Sequence, residues 1–134
     1  EQAKQDSPEG AAAFVKHYVD VFNYAASTGD VDELSRLSAA TCEGCQSYIT
    51  LYRKTYDAGG YFKGADWTLG DLKLREAEGT SYVTTLAKAD PGQYRETAND
   101  PEHTSTGQDN EVSFAVSRAK STWQVDQLGL GGVE

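Results

Sequence analysis

Two cysteines stand three apart in the stretch Cys42-Glu43-Gly44-Cys45, and the chain has no others. Such a pair can act as a redox couple, supply half of a metal site, or close a small covalent staple. A thiol at the start of a helix has a lowered pKa, which is the physical ground for the redox reading. Redox pairs of this kind normally follow the buried strand of a βαβ unit. Here Leu34 to Ala40 reads as a short helix and its exit. A zinc site needs four ligands, and the other candidates of the right type, His17 and His103, show no paired spacing.

General acid–base chemistry would need a His, Asp or Glu interrupting an apolar face, where desolvation shifts its pKa. His17 and Asp20 fall beside the apolar stripe of the first helix. Asp71 shares a strand face with Lys73, opposite Leu72 and Leu74. All three read as peripheral, so no catalytic residue is assigned. No Gly-x-Ser-x-Gly stretch is present for nucleophilic catalysis. Asp100, Glu102, Asp109 and Glu111 are acidic, but the spacing and central glycine of an EF-hand loop are missing. The tail Gly129-Leu-Gly-Gly132 precedes no helix and is not a phosphate cradle. No metal and no cofactor is expected.

The remaining candidates are aromatic. The chain holds eight Tyr and two Trp. Tyr18, Tyr52, Tyr56, Trp67, Tyr82 and Trp123 could converge between helices and sheet as a ligand pocket. A buried tyrosine ring packs while its hydroxyl seeks a partner, which suits a cleft with a wet mouth. Rings at helical spacing equally suit an ordinary core.

These residues must be held by some arrangement of elements. The chain has 134 residues, enough for one ordinary domain. Its net charge of −9 repels polyanions, so nucleic acid and anionic membrane surfaces are poor partners. No apolar run reaches the roughly 18 residues of a membrane span. There is no methionine, even at position 1, which reads as a processed chain whose export signal is already gone. Residues 1–7 read as a polar tether and 8–134 as a single domain.

Ser7-Pro8-Glu9 starts a helix whose stripe is Phe14, Tyr18, Val21, Phe22 and Ala25, ended by Gly29. Asp30-Val-Asp-Glu33 is a capping box for a short second helix with Leu34 and Leu37 inward. A third helix runs from about Thr41 to Gly59-Gly60, with Tyr48, Ile49, Tyr52 and Tyr56 facing in. The period then changes to two. Strands are expected from Leu69 to Leu74, from Tyr82 to Ala89 with a continuation over Tyr94–Thr97, around Val112–Val116, and at Trp123, Val125 and Gln127. Residues 98–109 read as a long loop. Helices followed by antiparallel strands predict an α+β domain, with the sheet curled around one long helix.

This order of elements, closed by "STWQVDQ", resembles the cone-shaped, cystatin-like fold of the nuclear-transport-factor-2-like superfamily. Residues 8–48, "PEGAAAFVKHYVDVFNYAASTGDVDELSRLSAATCEGCQSY", are similar to a family of actinobacterial lipoproteins of unknown function, in their aromatic first helix, "TGD" turn and C-x-x-C pair. The resemblance implies a chain exported to the outer face of the cell membrane and anchored through a lipidated cysteine upstream of Glu1. Export would favour a Cys42–Cys45 disulfide, closing a small loop for about 2 kcal/mol. The superfamily also implies that a homodimer through the outer sheet face is within reach. The expected role is a non-catalytic domain binding a small molecule, a peptide or a cell-envelope protein. The alternatives are an isomerase or hydrolase with its site inside the cone, and a thiol–disulfide protein.

Overall fold

The computed structural model describes residues 8–64, 66–119 and 122–130. The tether over residues 1–7 with its Ser7 cap lies outside the described residues, as do residues 120–121 of the last turn and 131–132 of the glycine tail.

Helix α1 spans Pro8–Thr28. Its buried stripe runs through Ala11, Phe14, Tyr18, Phe22 and Ala25, the spacing of one helical face. Gly29 ends it with φ +80°, and its N–H donates to the Ala25 carbonyl at 2.8 Å. A side chain there is doubly excluded, because a Cβ would lie 2.4 Å from the Tyr56 ring. Helix α2 is Asp32–Leu37, preceded by Val31 without a side-chain cap. The expected capping box is therefore not formed as such. Asp30 instead accepts the Asp32 N–H at 3.2 Å through Oδ1. Helix α3 is Glu43–Asp57.

Eight strands follow: β1 Gly59–Lys63, β2 Trp67–Leu69, β3 Lys73–Ala77, β4 Thr80–Ala89, β5 Gly92–Thr97, β6 His103–Ser105, β7 Gln108–Ala119 and β8 Thr122–Leu130. All strand pairings are antiparallel. In the five-stranded sheet β2 and β3 lie one after the other along β4, followed by β7 and β8, while β1, β5 and β6 form a second, three-stranded sheet. The fold is α+β, with helices packed on antiparallel sheet. Val83, Val112, Phe114, Val116 and Val125 supply the sheet side of the core.

Four expectations need correction. The Leu69–Leu74 strand is broken at Gly70–Leu72 into β2 and β3, and Leu74 is exposed because β3 lies at the sheet's edge. Tyr94–Thr97 does not pair in β4's sheet but with β1, a strand hidden behind the double glycine. The 98–109 loop contains β6 and the start of β7. Gln127 is exposed, because Ala115 pairs with Gln127 but Val116 with Val125. Asp126 is the extra residue of that bulge, and the buried alternation resumes at Leu128.

Candidate functional site

Cys42 and Cys45 are bonded, with an S–S distance of 2.03 Å. Cys42 caps α3, its Sγ accepting the Cys45 N–H at 3.1 Å. Both residues are 0% exposed. Gly44 between them lies so close to β8 that a Cβ would come 2.1 Å from the Leu128 carbonyl oxygen. Ala39, three residues ahead, donates its N–H to the Val125 carbonyl at 2.8 Å. The bond thus pins the α2–α3 link and the first turn of α3 against β8. Thiol–disulfide exchange needs in-line access of a thiolate to sulfur, and the folded protein offers none here.

The candidate pocket rings separate into groups. Tyr18 is 0% exposed, contacts Phe14 and Phe114 edge-on or tilted, and shares a 2.8 Å hydrogen bond with Ser38. Ser38 spends its proton on the Leu34 carbonyl at 2.7 Å, so Tyr18 is the donor. Burial pushes the Tyr18 hydroxyl up to about 12. Trp123 stacks on Phe14 with centroids 6.3 Å apart. Tyr52 and Trp67 belong together through Phe22, whose ring lies 5.6 Å from Tyr52 and 4.7 Å from Trp67. Burial also raises the Tyr52 hydroxyl, which has no hydrogen-bond partner among the described residues.

Tyr56 is a tie between elements: its hydroxyl donates to the Ala26 carbonyl at 2.7 Å and accepts the Phe62 N–H at 3.1 Å. Tyr82 does not join the others. Val83 takes the core face of β4, so Tyr82 turns to the opposite face, where the Arg75 guanidinium lies 4.5 Å from its ring. Sequence reasoning left Phe22, Tyr48 and Phe62 out of the pocket set, although they link its members. The helical register of Phe22 with Tyr18 and of Tyr48 with Tyr52 is the available signal for two of them; Phe62 lies on β1 and has none.

His17, Asp20 and Asp71 are exposed, and His103 is exposed on β6 with its ring stacked on Tyr94 at 5.2 Å. The buried polar residues among those described are Ser38, Thr55, Ser81, Thr85 and Ser113, with no carboxylate or imidazole. No group of three or more His, Cys, Asp or Glu gathers around a possible ion among the described residues. No helix among them is long and apolar enough to cross a membrane.

Asn23 is a further residue that sequence reasoning missed. It lies off the stripe of α1, and its amide makes two 3.0 Å bonds to the backbone of Trp67, donating to the carbonyl and accepting from the N–H. Beside it, α1 and β2 border a cleft of about 420 Å³ lined by Lys16, Val19, Asp20, Trp67, Thr68 and Leu69. Open clefts also lie along the exposed face of α3, by Arg53 and Asp57, and on the main sheet by Asp71, Thr84 and Leu86.

Solved structures share this fold. The intermembrane space region of chloroplast protein ARC6 superposes with a TM-score of 0.66 at 12% identity, over 92% of this chain and 95% of that one. A protein of the NTF2-like family from Streptomyces avermitilis gives 0.59 at 17% identity, over 95% and 99%. One with a cystatin-like fold from Caulobacter vibrioides gives 0.52 at 7%, over 88% and 87%. At these identities the likeness is one of fold alone, and it is nuclear-transport-factor-2-like. Comparison with the curated proteins finds no match. By sequence, residues 1–129 match a family of unknown function, DUF6318, and the chain belongs to that family.

Proposed function

We propose that residues 8–134 form an exported, non-catalytic binding domain, held at the outer face of the cell membrane by a lipid anchor upstream of the 1–7 tether. Its partner is a peptide or a protein of the cell envelope. The observation that carries the reading is the filling of the cone. Rings of Tyr18, Phe22, Tyr52 and Phe114 occupy it, the buried polar side chains among the described residues are hydroxyls, and His17, Asp20 and Asp71 stand outside. An isomerase would need a desolvated acid or base in that interior. The space open to a partner lies on the surface.

The shielded disulfide supports export, since such bonds persist in oxidising compartments. The anchor rests on the likeness of residues 8–48 to actinobacterial lipoproteins. The test is fractionation of cells expressing the natural precursor, with detergent-phase partition and protease digestion of intact protoplasts. A detergent-phase protein cut from outside, with Cys42 and Cys45 oxidised, is the expected result. A cytosolic protein with both thiols free overturns the proposal.

A further inference from the structure

Among the described residues strand β2 pairs on one side only, with β4. Gly70 donates to the Leu86 carbonyl at 2.9 Å, and Asp90 to the Asp66 carbonyl at 3.1 Å. In an antiparallel ladder these bonds alternate, so residues 66, 68 and 70 turn their backbone groups to β4 while Trp67 and Leu69 turn theirs outward. At Trp67 the outward pair is taken by Asn23, whose amide reproduces the two bonds of a neighbouring peptide group. Leu69 presents the same pair, and nothing among the described residues caps it. The edge is closed at one step and open at the next, and the open step borders the α1–β2 cleft.

The cleft's charges define what fits. Asp20 precedes Asn23 by one helical turn and Lys16 lies a further turn back; neither is held in an ion pair among the described residues. Asn23 obstructs the edge at Trp67, so an added strand has to end there. An end beside Asp20 is favoured when it carries an ammonium group and disfavoured when it carries a carboxylate. The acidic field of the whole chain acts in the same sense.

We propose that the β2 edge takes the first three residues of a peptide with a free amino terminus, extended and parallel to β2, its ammonium group at Asp20. In parallel pairing the Leu69 N–H meets the carbonyl of the first residue, and the Leu69 carbonyl meets the N–H of the third. Lys16 faces the second residue's side and suits an acidic group there. Trp67 and Val19 also line the cleft. This names a partner and a site for the binding role proposed above, and rests on that reading.

The test is titration of the ¹⁵N-labelled protein with the tetrapeptide Ala-Glu-Ala-Ala amide and its N-acetylated form, followed by backbone amide shifts. The free-amine peptide should move the Leu69 amide and the Trp67 indole resonances. Acetylation, or Asp20→Asn, should weaken binding about tenfold, the loss expected for one charge-assisted contact. No shift at Leu69, or equal binding of both peptides, overturns the proposal. Shifts confined to another face overturn this site but leave the binding role standing, whereas a cytosolic protein with free thiols in the cell fractionation overturns the exported reading on which the site rests.

Discussion

Tyr18 and Tyr52 are both buried tyrosines of the core, 0% and 6% exposed, but only one has found a partner for its hydroxyl. Tyr18→Phe removes a donor to Ser38 and should cost about 1 kcal/mol. Ser38 keeps its bond to Leu34, so the loss stays moderate. Tyr52→Phe removes a hydroxyl with no hydrogen bond among the described residues, and should be neutral within about 0.5 kcal/mol or stabilising. Urea denaturation at neutral pH checks both. Alkali separates them further. Burial raises both hydroxyls above their ordinary pKa of 10, so the folded state holds these protons longer than the unfolded chain. The stability they contribute is fully present below pH 10 and is lost as pH rises from 10 through the folded value, about 12 for Tyr18. Wild type should therefore unfold cooperatively above pH 10, with part of the tyrosinate absorbance appearing only in that step, and Tyr52→Phe should move the midpoint upward. Smooth titration of all eight tyrosines without unfolding would contradict the burial argument.

Two contacts decide how the helices meet the sheet. Asn23→Ala leaves the Trp67 N–H and carbonyl without partners at a half-buried position, and should cost about 1–2 kcal/mol. Gly44→Ala drives a Cβ into the Leu128 carbonyl, an overpacking that should cost about 1–3 kcal/mol by the same measurement. A Gly44→Ala protein as stable as wild type would mean that α3 can move off β8 freely. Neither contact follows from periodicity, since each joins residues more than forty positions apart. What periodicity does carry is the helices: the 3.6-residue stripe places α1, α2 and α3 within about two residues of their ends. It fails where apolar residues stop carrying the pattern. Strand β1 begins at Gly59-Gly60, a pair that the sequence reads only as a helix stop. Strand β6, His103-Thr-Ser105, has no apolar residue and exists through its pairing with β5. Tyr82 and Val83 are both apolar, so alternation alone leaves two faces for the ring, and burial of Val83 settles it. The disulfide was within reach because its two residues are three apart; the Asn23 clamp was not.

Stability is distributed unevenly over the molecule. β7 is paired along both sides, with β4 and with β8, and Val112, Phe114 and Val116 are buried at its centre. The Cys42–Cys45 bond and the Ala39–Val125 contact lock the α2–α3 link onto β8 at the far edge. β3 has little of this: four of its five residues are exposed, and β4 is the one strand it pairs with among the described residues. β6 is likewise an outer strand of the smaller sheet. Local opening free energies follow burial and pairing, so the amides of Val83–Ala87 and Val112–Val116 should exchange only through global unfolding. Those of β3 and β6 should exchange at least about a hundredfold faster. Breaking the disulfide by Cys42→Ser with Cys45→Ser should lower global stability by about 2 kcal/mol, accelerating β7 and β8 while leaving β3 nearly unchanged. Hydrogen exchange read by mass spectrometry on both proteins distinguishes the cases. Equal acceleration of every segment would mean that β3 opens only with the whole molecule, and that the β2–β3 edge is as rigid as the centre of the sheet.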